Sequence, residues 1–351
     1  MDEKTYDERW NDLNARLKVI EAEAGLAGVF AALEADQRAS GFILQNLDDV
    51  ERLTFFDNGE GSDFFRIQFN PQRAQRFKGA GLSVPPDGEE EVNGGCFLCR
   101  ENIRWQQQGR EIGYEIPVDD RVYYALANPF PLLPNHMTVT SREHRPQDWC
   151  FAEPLGTEVD LIVRDLLAIA SRAAGFVGFY NGVNAGASNP DHFHFHFHFH
   201  FQFCSRPSEA PEFPLEKMVG RKCNGGGEDI MTEHYPLPVA VWKGTADEIE
   251  NRAAKWIQKW ASRNGPRLEK LTGNFVVTND GGPDRLTLYF VPRDRTKVHV
   301  NGFSSLIGGL EILGELVLST EKDKRYLDND RIDFGSIERS LARVQTPFYM
   351  D

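Results

Sequence analysis

Histidine and phenylalanine alternate without a break from His192 to Phe201, and the run ends at Gln202. Successive side chains of a β-strand point to opposite faces of the sheet. The pattern therefore predicts one strand that carries five histidines and Gln202 on one face and phenylalanines on the other. The phenylalanine face suits a hydrophobic core, whereas a row of imidazoles requires a separate explanation.

Three explanations compete for the histidine row. The histidines could be ordinary polar residues on a half-exposed strand. They could form a metal-binding tract, since neutral imidazole is the commonest nitrogen ligand. They could also supply a nucleophile, because imidazole attacks phosphorus and forms a reactive phosphoramidate. The segment that precedes the strand favours the third explanation.

That segment, Asn181 to Pro190, consists mainly of small residues. Small residues let the backbone approach a phosphate closely, so the amides near Gly186 and Ala187 and the Ser188 hydroxyl can donate to phosphate oxygens. A glycine-rich loop alone is weak support for such a site. Joined directly to the histidine strand, it places a phosphate cradle beside a nucleophile.

Composition limits the protein class. The chain has 351 residues and a formal net charge of −14, which suggests two domains and argues against a protein that coats nucleic acid. The sequence contains no apolar run of 18 or more residues, so no membrane span is predicted. The acidic N-terminus does not have the pattern of a signal peptide. The odd count of five cysteines favours a reduced, cytoplasmic setting over a disulfide scaffold.

Helical and strand-like segments alternate along the chain, which indicates an α+β fold. Helices are predicted where apolar residues recur every three or four positions, and strands where short apolar or alternating runs occur. The predicted helices are Tyr6 to Gln37, Thr157 to Ala174 and Ala246 to Arg263, and the predicted strands are Phe64 to Phe69, Val122 to Ala127, Met137 to Thr140, Phe176 to Tyr180, Asn274 to Thr278 and Leu286 to Val291.

The motif Asn181-Gly-x-x-x-Gly-Ala-Ser followed by His-x-His-x-Gln resembles the active-site segment of two related groups. They are the diadenosine tetraphosphate phosphorylases (ATP adenylyltransferases) and the galactose-1-phosphate uridylyltransferases of the histidine-triad superfamily. The segments 128–136 and 140–147 resemble the phosphorylase strand–turn–strand, and the resemblance spans roughly residues 37 to 216. It implies histidine-triad-like antiparallel sheets with packed helices, in two such halves.

The domain boundaries expected on this basis divide the chain in three. Residues 1–90 form an N-terminal helical and strand segment, and residues 91–220 form the catalytic half. Residues 221–351 form a second half of the same kind without the catalytic histidines.

In the family, the last histidine before the glutamine is the nucleophile. The resemblance therefore implies that His200 attacks the α-phosphorus, that His198 is the first histidine of the catalytic pair, and that Gln202 holds a phosphate oxygen. The family has two histidines between the serine loop and the glutamine, whereas this chain has five. Counting from Ser188 would make His194 the nucleophile, but we favour the Gln202 end because glutamine is the rarer residue.

Cys96 and Cys99 are spaced to offer two thiolates to a tetrahedral zinc ion. Alternatively, they are two buried hydrophobic cysteines. The uridylyltransferase-like branch completes such a site with two histidines, which here would be His144 and His198, or His192 in the other register. The resemblance thus implies a structural zinc and no organic cofactor.

The resemblance implies transfer of a nucleotidyl group in two displacements. A dinucleoside polyphosphate is the first candidate substrate, and a nucleotide sugar with phosphate or a hexose 1-phosphate is the second. A protein of another class, which uses the histidine row only to bind metal, remains the rival. The expected partners are a small nucleotide and phosphate or a sugar phosphate, without nucleic acid or membrane, and the sequence leaves open whether the chain forms a homodimer.

Overall fold

A computed structural model of the chain shows the architecture. It describes residues 2–57, 63–78, 81–82, 84–150, 157–186, 198–220, 230–232, 235–298, 306–329 and 332–348. The α-helices in these ranges are α1 (Glu3–Ala39), α2 (Arg100–Gln106), α3 (Val159–Ser171), α4 (Pro214–Gly220), α5 (Ala246–Arg263), α6 (Gly309–Ile312), α7 (Glu321–Asp328) and α8 (Phe334–Ala342).

The strands of the described ranges run from β1 near the N-terminus to β14 near the C-terminus. They are β1 (Glu51–Phe56), β2 (Phe64–Phe69), β3 (Tyr114–Val118), β4 (Arg121–Ala127), β5 (Met137–Ser141), β6 (Trp149–Cys150), β7 (Thr157–Glu158), β8 (Phe176–Asn181), β9 (His200–Ser205), β10 (Ile230–Thr232), β11 (Val239–Gly244), β12 (Leu271–Asn279), β13 (Leu286–Asp294) and β14 (Glu315–Leu318).

One large antiparallel sheet organises the molecule. In the described part of the chain it has nine strands in the order β10-β11-β13-β12-β8-β9-β5-β4-β3. Strands β3, β4, β5, β8 and β9 come from residues 91–220, and the other four come from residues 221–351. The two expected halves thus share a continuous sheet through the pairing of β8 with β12, and the expected boundaries stay a prediction.

A smaller sheet joins the two ends of the chain. Its order is β1-β2-β14, with β14 parallel to β2. A third, two-residue parallel pair forms between β6 and β7. Because β14 lies more than two hundred residues beyond β2, the N-terminal segment and the end of the chain are part of one packed structure.

Two hydrophobic cores lie on opposite faces of the large sheet. Helices α1, α3 and α5 cover one face, where Trp10, Phe201 and Phe275 are among the fully buried side chains. The small sheet with α4, α6 and α8 covers the other face, where Phe179 and Leu310 are buried. Burial on both sides explains the continuous apolar stretches in β11 and β13.

The predicted α+β class and the predicted element types are confirmed. Helix α5 begins and ends as predicted, and its start is fixed by the capping box that Thr245 and Glu248 form. Helix α1 extends the prediction at both ends but breaks at Gly25, where φ is 65° and the following amide, of Leu26, donates to Arg172 O. Helix α3 begins two residues later than predicted, since Thr157 and Glu158 pair with β6, and it ends three residues earlier, at Ser171.

Candidate active site and metal cluster

Strand β9 carries the described end of the histidine–phenylalanine run. Phe199, Phe201 and Phe203 are buried in the core beneath α1 and α3. His200 and Gln202 are partly exposed on the other face. The alternation predicted from the sequence therefore holds from Phe199 onward. His192, His194 and His196 lie outside the described residues.

The imidazole of His200 is held in one tautomer. Its Nδ1 lies 2.8 Å from the carbonyl oxygen of His198, and a carbonyl can only accept, so Nδ1 carries the proton and donates. Nε2 is then the atom with a free lone pair. Among the described residues nothing bonds to it. Burial lowers the pKa of His200 to about 4, which keeps the ring neutral near pH 7.

The side-chain amide of Gln202 is oriented by His136. Leu132 N–H donates to His136 Nδ1 at 3.1 Å, so Nε2 carries the proton and donates to Gln202 Oε1 at 2.6 Å. Thr138 Oγ1 also donates to Gln202 Oε1, at 3.3 Å. With its oxygen occupied, Gln202 presents its NH₂ group, for which no described residue is an acceptor. Burial lowers the pKa of His136 to about 3, so the ring stays a neutral donor.

His136 was not predicted from the sequence to be a functional residue. It is 2% exposed and lies one position before β5, in the segment that resembles the phosphorylase strand–turn–strand. A buried histidine immediately before a strand that pairs with β9 was the available signal. Its significance depends on the register of β5 and β9, in which Thr138 lies opposite Gln202.

A buried polar network supports the start of the small-residue loop. Asn274 Nδ2 donates to Asn181 Oδ1 at 2.8 Å and to Ala185 O at 2.7 Å. Arg293 Nη1 donates to Asn274 Oδ1 at 2.9 Å and is itself fully buried. The loop thus rests on the C-terminal strands. Gly186 has a φ of 102°, and a Cβ there would lie 2.4 Å from Gly308 Cα, so this position requires glycine.

Four sulfur and nitrogen ligand groups converge just before the start of β9. The candidate ligand atoms of Cys96, Cys99, His144 and His198 all lie within 4.8 Å of one another. Cys99 Sγ is 3.3 Å from His144 Nδ1, and His198 Nδ1 is 3.7 Å from both sulfurs. Ligand atoms around a tetrahedral zinc ion lie about 3.3–3.8 Å apart, given Zn–S of about 2.3 Å and Zn–N of about 2.0 Å.

The second nitrogen of His198 agrees with a metal-binding role. His198 Nε2 lies 3.0 Å from Glu143 O, so Nε2 carries the proton and Nδ1 faces the sulfurs as a lone pair. Asn93 Nδ2 also donates to Cys99 Sγ at 3.4 Å. The donor set, the three distances given above and the tautomer of His198 fit zinc. That zinc is bound stays a prediction.

A family model described as "Domain of unknown function (DUF4922)" matches residues 37–204. This range contains the candidate metal cluster, which consists of Cys96, Cys99, His144 and His198, together with Asn181, His200 and Gln202. A search of curated proteins finds no match.

Comparison with solved structures identifies the fold. Yeast Ap4A phosphorylase Apa2 in complex with AMP matches with a TM-score of 0.57 and 16% identity, over 90% of this chain and 96% of that chain. The same yeast protein in complex with Ap4A matches with a TM-score of 0.57 and 13% identity, over 90% of this chain and 98% of that chain. The chain has the fold of Ap4A phosphorylase. The expected likeness to the diadenosine tetraphosphate phosphorylases is thereby confirmed at the level of the fold.

The structure brings together most of the residues that the sequence singled out. His200 and Gln202 lie on β9, His198 lies two residues before it, and the four expected metal ligands form one cluster. Asn181 and Gly186 begin the loop, whereas Ala187, Ser188 and His194 lie outside the described residues. Cys96, Cys99 and Cys204 are free cysteines, and no described helix is long and apolar enough to cross a bilayer.

Proposed function

We propose that the protein is a nucleotidyltransferase that acts as a phosphorylase on a dinucleoside polyphosphate, through a covalent nucleotidyl-histidine at His200. The observation that carries the proposal is the tautomer of His200. Its Nδ1–H is committed to His198 O, so Nε2 presents a lone pair beside Gln202. A neutral imidazole held in one orientation meets the requirements for a nucleophile at phosphorus.

The reaction proceeds in two displacements. His200 Nε2 attacks the α-phosphorus, the P–N bond forms, and the bond to the bridging oxygen breaks as the distal nucleoside polyphosphate leaves. An oxygen of inorganic phosphate then attacks the same phosphorus and the P–N bond breaks, which frees His200 and releases a nucleoside diphosphate. His198 O stabilises the positive charge that the ring carries in the intermediate. The Gln202 NH₂ group and the Asn181 loop donate to the charged phosphoryl oxygens.

The fold supports a dinucleoside polyphosphate as the first candidate substrate. The Ap4A phosphorylase fold covers 90% of this chain, and structures of that yeast protein contain AMP or Ap4A. At 13–16% identity this likeness concerns the fold, so the substrate is our inference. We expect the reaction to take place in the cytoplasm, as the cysteine usage suggests.

Cys96, Cys99, His144 and His198 would hold a structural zinc ion. Bound there by four ligands, zinc would cross-link the segments that carry these residues. The nucleophilic attack itself would be made by His200, whose ring is held by the carbonyl of His198. The metal cluster would therefore fix the position of the residue that orients the nucleophile.

A second candidate is a nucleotide-sugar phosphorylase or a hexose-1-phosphate uridylyltransferase. The observation that favours it is the metal cluster, because the sequence resemblance places such a Cys₂His₂ site in the uridylyltransferase-like branch. A non-enzymatic metal-binding protein is the alternative from another class. It would need several histidines of the row as ligands, whereas His200 Nδ1 bonds to a backbone carbonyl.

Intact mass spectrometry of the full chain under non-acidic conditions tests the proposal. The protein would be mixed, without phosphate, with diadenosine tetraphosphate and separately with GDP- and UDP-sugars. We expect an added AMP mass from the dinucleotide that disappears when phosphate is added. An adduct only from a nucleotide sugar would favour the second candidate. No adduct from any substrate, with several metal ions bound per chain, would favour the metal-binding alternative.

A further inference from the structure

The large sheet splits between β8 and β9 at the end that carries His200. The two strands pair from Phe176↔Ser205 to Phe179↔Gln202. In the same register His200 would lie opposite Asn181, but the two are not paired. Each of the two residues is still paired with the strand on its other side. His200 pairs with Thr140 on β5, and Asn181 pairs with Asn274 on β12. The split is therefore confined to one seam of the sheet.

The side-chain amide of Gln147 fills this seam. Its Nε2 donates to Asn181 O at 2.9 Å and to His200 O at 3.0 Å. Its Oε1 accepts from His200 N–H at 2.7 Å. One side chain thus replaces the backbone hydrogen bonds that the two strands would otherwise make to each other. Gln147 is 1% exposed. Both N–H groups of its amide and its Oε1 form hydrogen bonds to the two strands.

The backbone around Gln147 is anchored on both sides. Tyr180 Oη donates to Gln147 O at 2.6 Å, from the adjacent strand β8. Asp148 forms a two-bond ion pair with Arg295 at 2.9 and 2.5 Å. Arg295 O in turn accepts from Asn184 Nδ2 at 3.1 Å, within the small-residue loop. The Gln147 side chain is therefore inserted from a rigid segment that also contacts the loop.

The split separates two groups that the proposed reaction uses. Residues opposite each other in an antiparallel sheet share a face and have Cβ atoms about 4.5–5.5 Å apart. A phosphate group in contact with both Asn181 and His200 needs more room than this pairing allows. Gln147 keeps the strands apart at that level while it holds both backbone groups of His200.

We propose that Gln147 is a positioning residue, which opens the sheet between Asn181 and His200 and aligns the His200 imidazole with the phosphate site. This inference rests on the proposed function. Gln147 touches the backbone of His200 rather than a reacting atom. It therefore acts through His200, and its loss should affect the rate of nucleotidyl transfer more than the affinity for nucleotide.

The variant Gln147→Glu tests this with almost no change in shape. The carboxylate still accepts from His200 N–H, but its second oxygen now faces the carbonyl oxygens of Asn181 and His200. We expect the single-turnover rate of nucleotidyl-His200 formation to fall about 100-fold, since a displacement of about 1 Å costs that much. The Kd for AMP should stay within about threefold of the wild-type value.

Gln37→Glu is the matched control. Gln37 is fully buried and its Oε1 also accepts a backbone amide, that of Ile112 at 3.1 Å, in the contact of α1 with the segment before β3. The same chemical change there should lower the melting temperature without a selective loss of rate. Equal rates for Gln147→Glu and wild type, or equal losses for the two variants, would overturn the inference.

Gln147→Asn provides a second variant, because its side chain is too short to reach both strands. If neither Gln147 variant folds, Gln147 belongs to the fold rather than to the site and the inference is wrong. Hydrogen exchange at the His200 amide separates the two proposals. If the wild-type protein forms no nucleotidyl adduct, the proposed function is rejected. Faster exchange of the His200 amide in Gln147→Asn would still show that Gln147 holds the backbone of His200 at the split.

Discussion

His198 contributes its ring and its backbone to two different neighbours. Its Nδ1 lies 3.7 Å from the sulfurs of Cys96 and Cys99, while its carbonyl oxygen accepts from His200 Nδ1 at 2.8 Å. One residue thus belongs to the candidate metal cluster and also fixes the tautomer of the proposed nucleophile. Metal binding and nucleophile orientation are therefore expected to depend on each other.

Loss of the metal cluster should affect both stability and chemistry. We expect about one zinc ion per chain in the wild type and its loss in Cys99→Ser, with a melting temperature lower by at least about 5 °C. The rate of adduct formation should fall as well, because His198 is no longer held. Cys204→Ser is the control, since Cys204 is a buried thiol outside the cluster. Zinc retained in Cys99→Ser, measured by elemental analysis, would contradict the assignment.

Asparagine substitutions at His200 and His194 decide which of the two histidines is the nucleophile. His200→Asn should reduce formation of the nucleotidyl adduct by at least about 1000-fold, because it removes the lone pair at Nε2. His194→Asn should leave the rate within about tenfold of the wild type. Intact mass under non-acidic conditions measures both. The reverse result would place the nucleophile at His194 and reject the register counted from Gln202.

His136 should control the orientation of the Gln202 amide. His136→Phe removes the donor to Gln202 Oε1, and we expect adduct formation to slow by about 10- to 100-fold. It also leaves Leu132 N–H buried without its acceptor, at a cost of about 1–3 kcal/mol in the free energy of unfolding. Thr138→Val, which removes only the longer 3.3 Å bond to the same oxygen, should have the smaller effect on rate. Equal rates in all three proteins would show that Gln202 needs no such support.

Glu111 should make stability depend on pH. It is 5% exposed, and burial raises its pKa to about 8 from 4.5. Because the pKa of this carboxyl group is higher in the folded protein than in the unfolded chain, its contribution to the free energy of unfolding is fully present below about pH 4.5. That contribution is lost as the pH rises to about 8. Glu111→Gln should therefore flatten the fall in melting temperature over that window. Glu101→Gln, at an exposed position of α2, should leave the slope unchanged. An unchanged slope in Glu111→Gln would contradict the expectation.

Much of the local structure follows from sequence patterns. The strict alternation after Phe199 predicts which side chains enter the core, because the side-chain period of a strand is two. The termini of α5 follow from the capping residue Thr245 and the apolar spacing after it. The break in α1 at Gly25 was not predicted, because it depends on the contact with Arg172 O.

The sequence by itself determined the type of most elements, the two faces of β9 and the residue types offered to a phosphate and a metal. Only the tertiary structure decided that His136 bonds Gln202, that Gln147 fills the seam beside His200, and that Asn274 supports Asn181. These partners lie 66, 53 and 93 residues apart along the chain. Periodicity records which face a side chain occupies, but strand order and register decide which distant side chain meets it there.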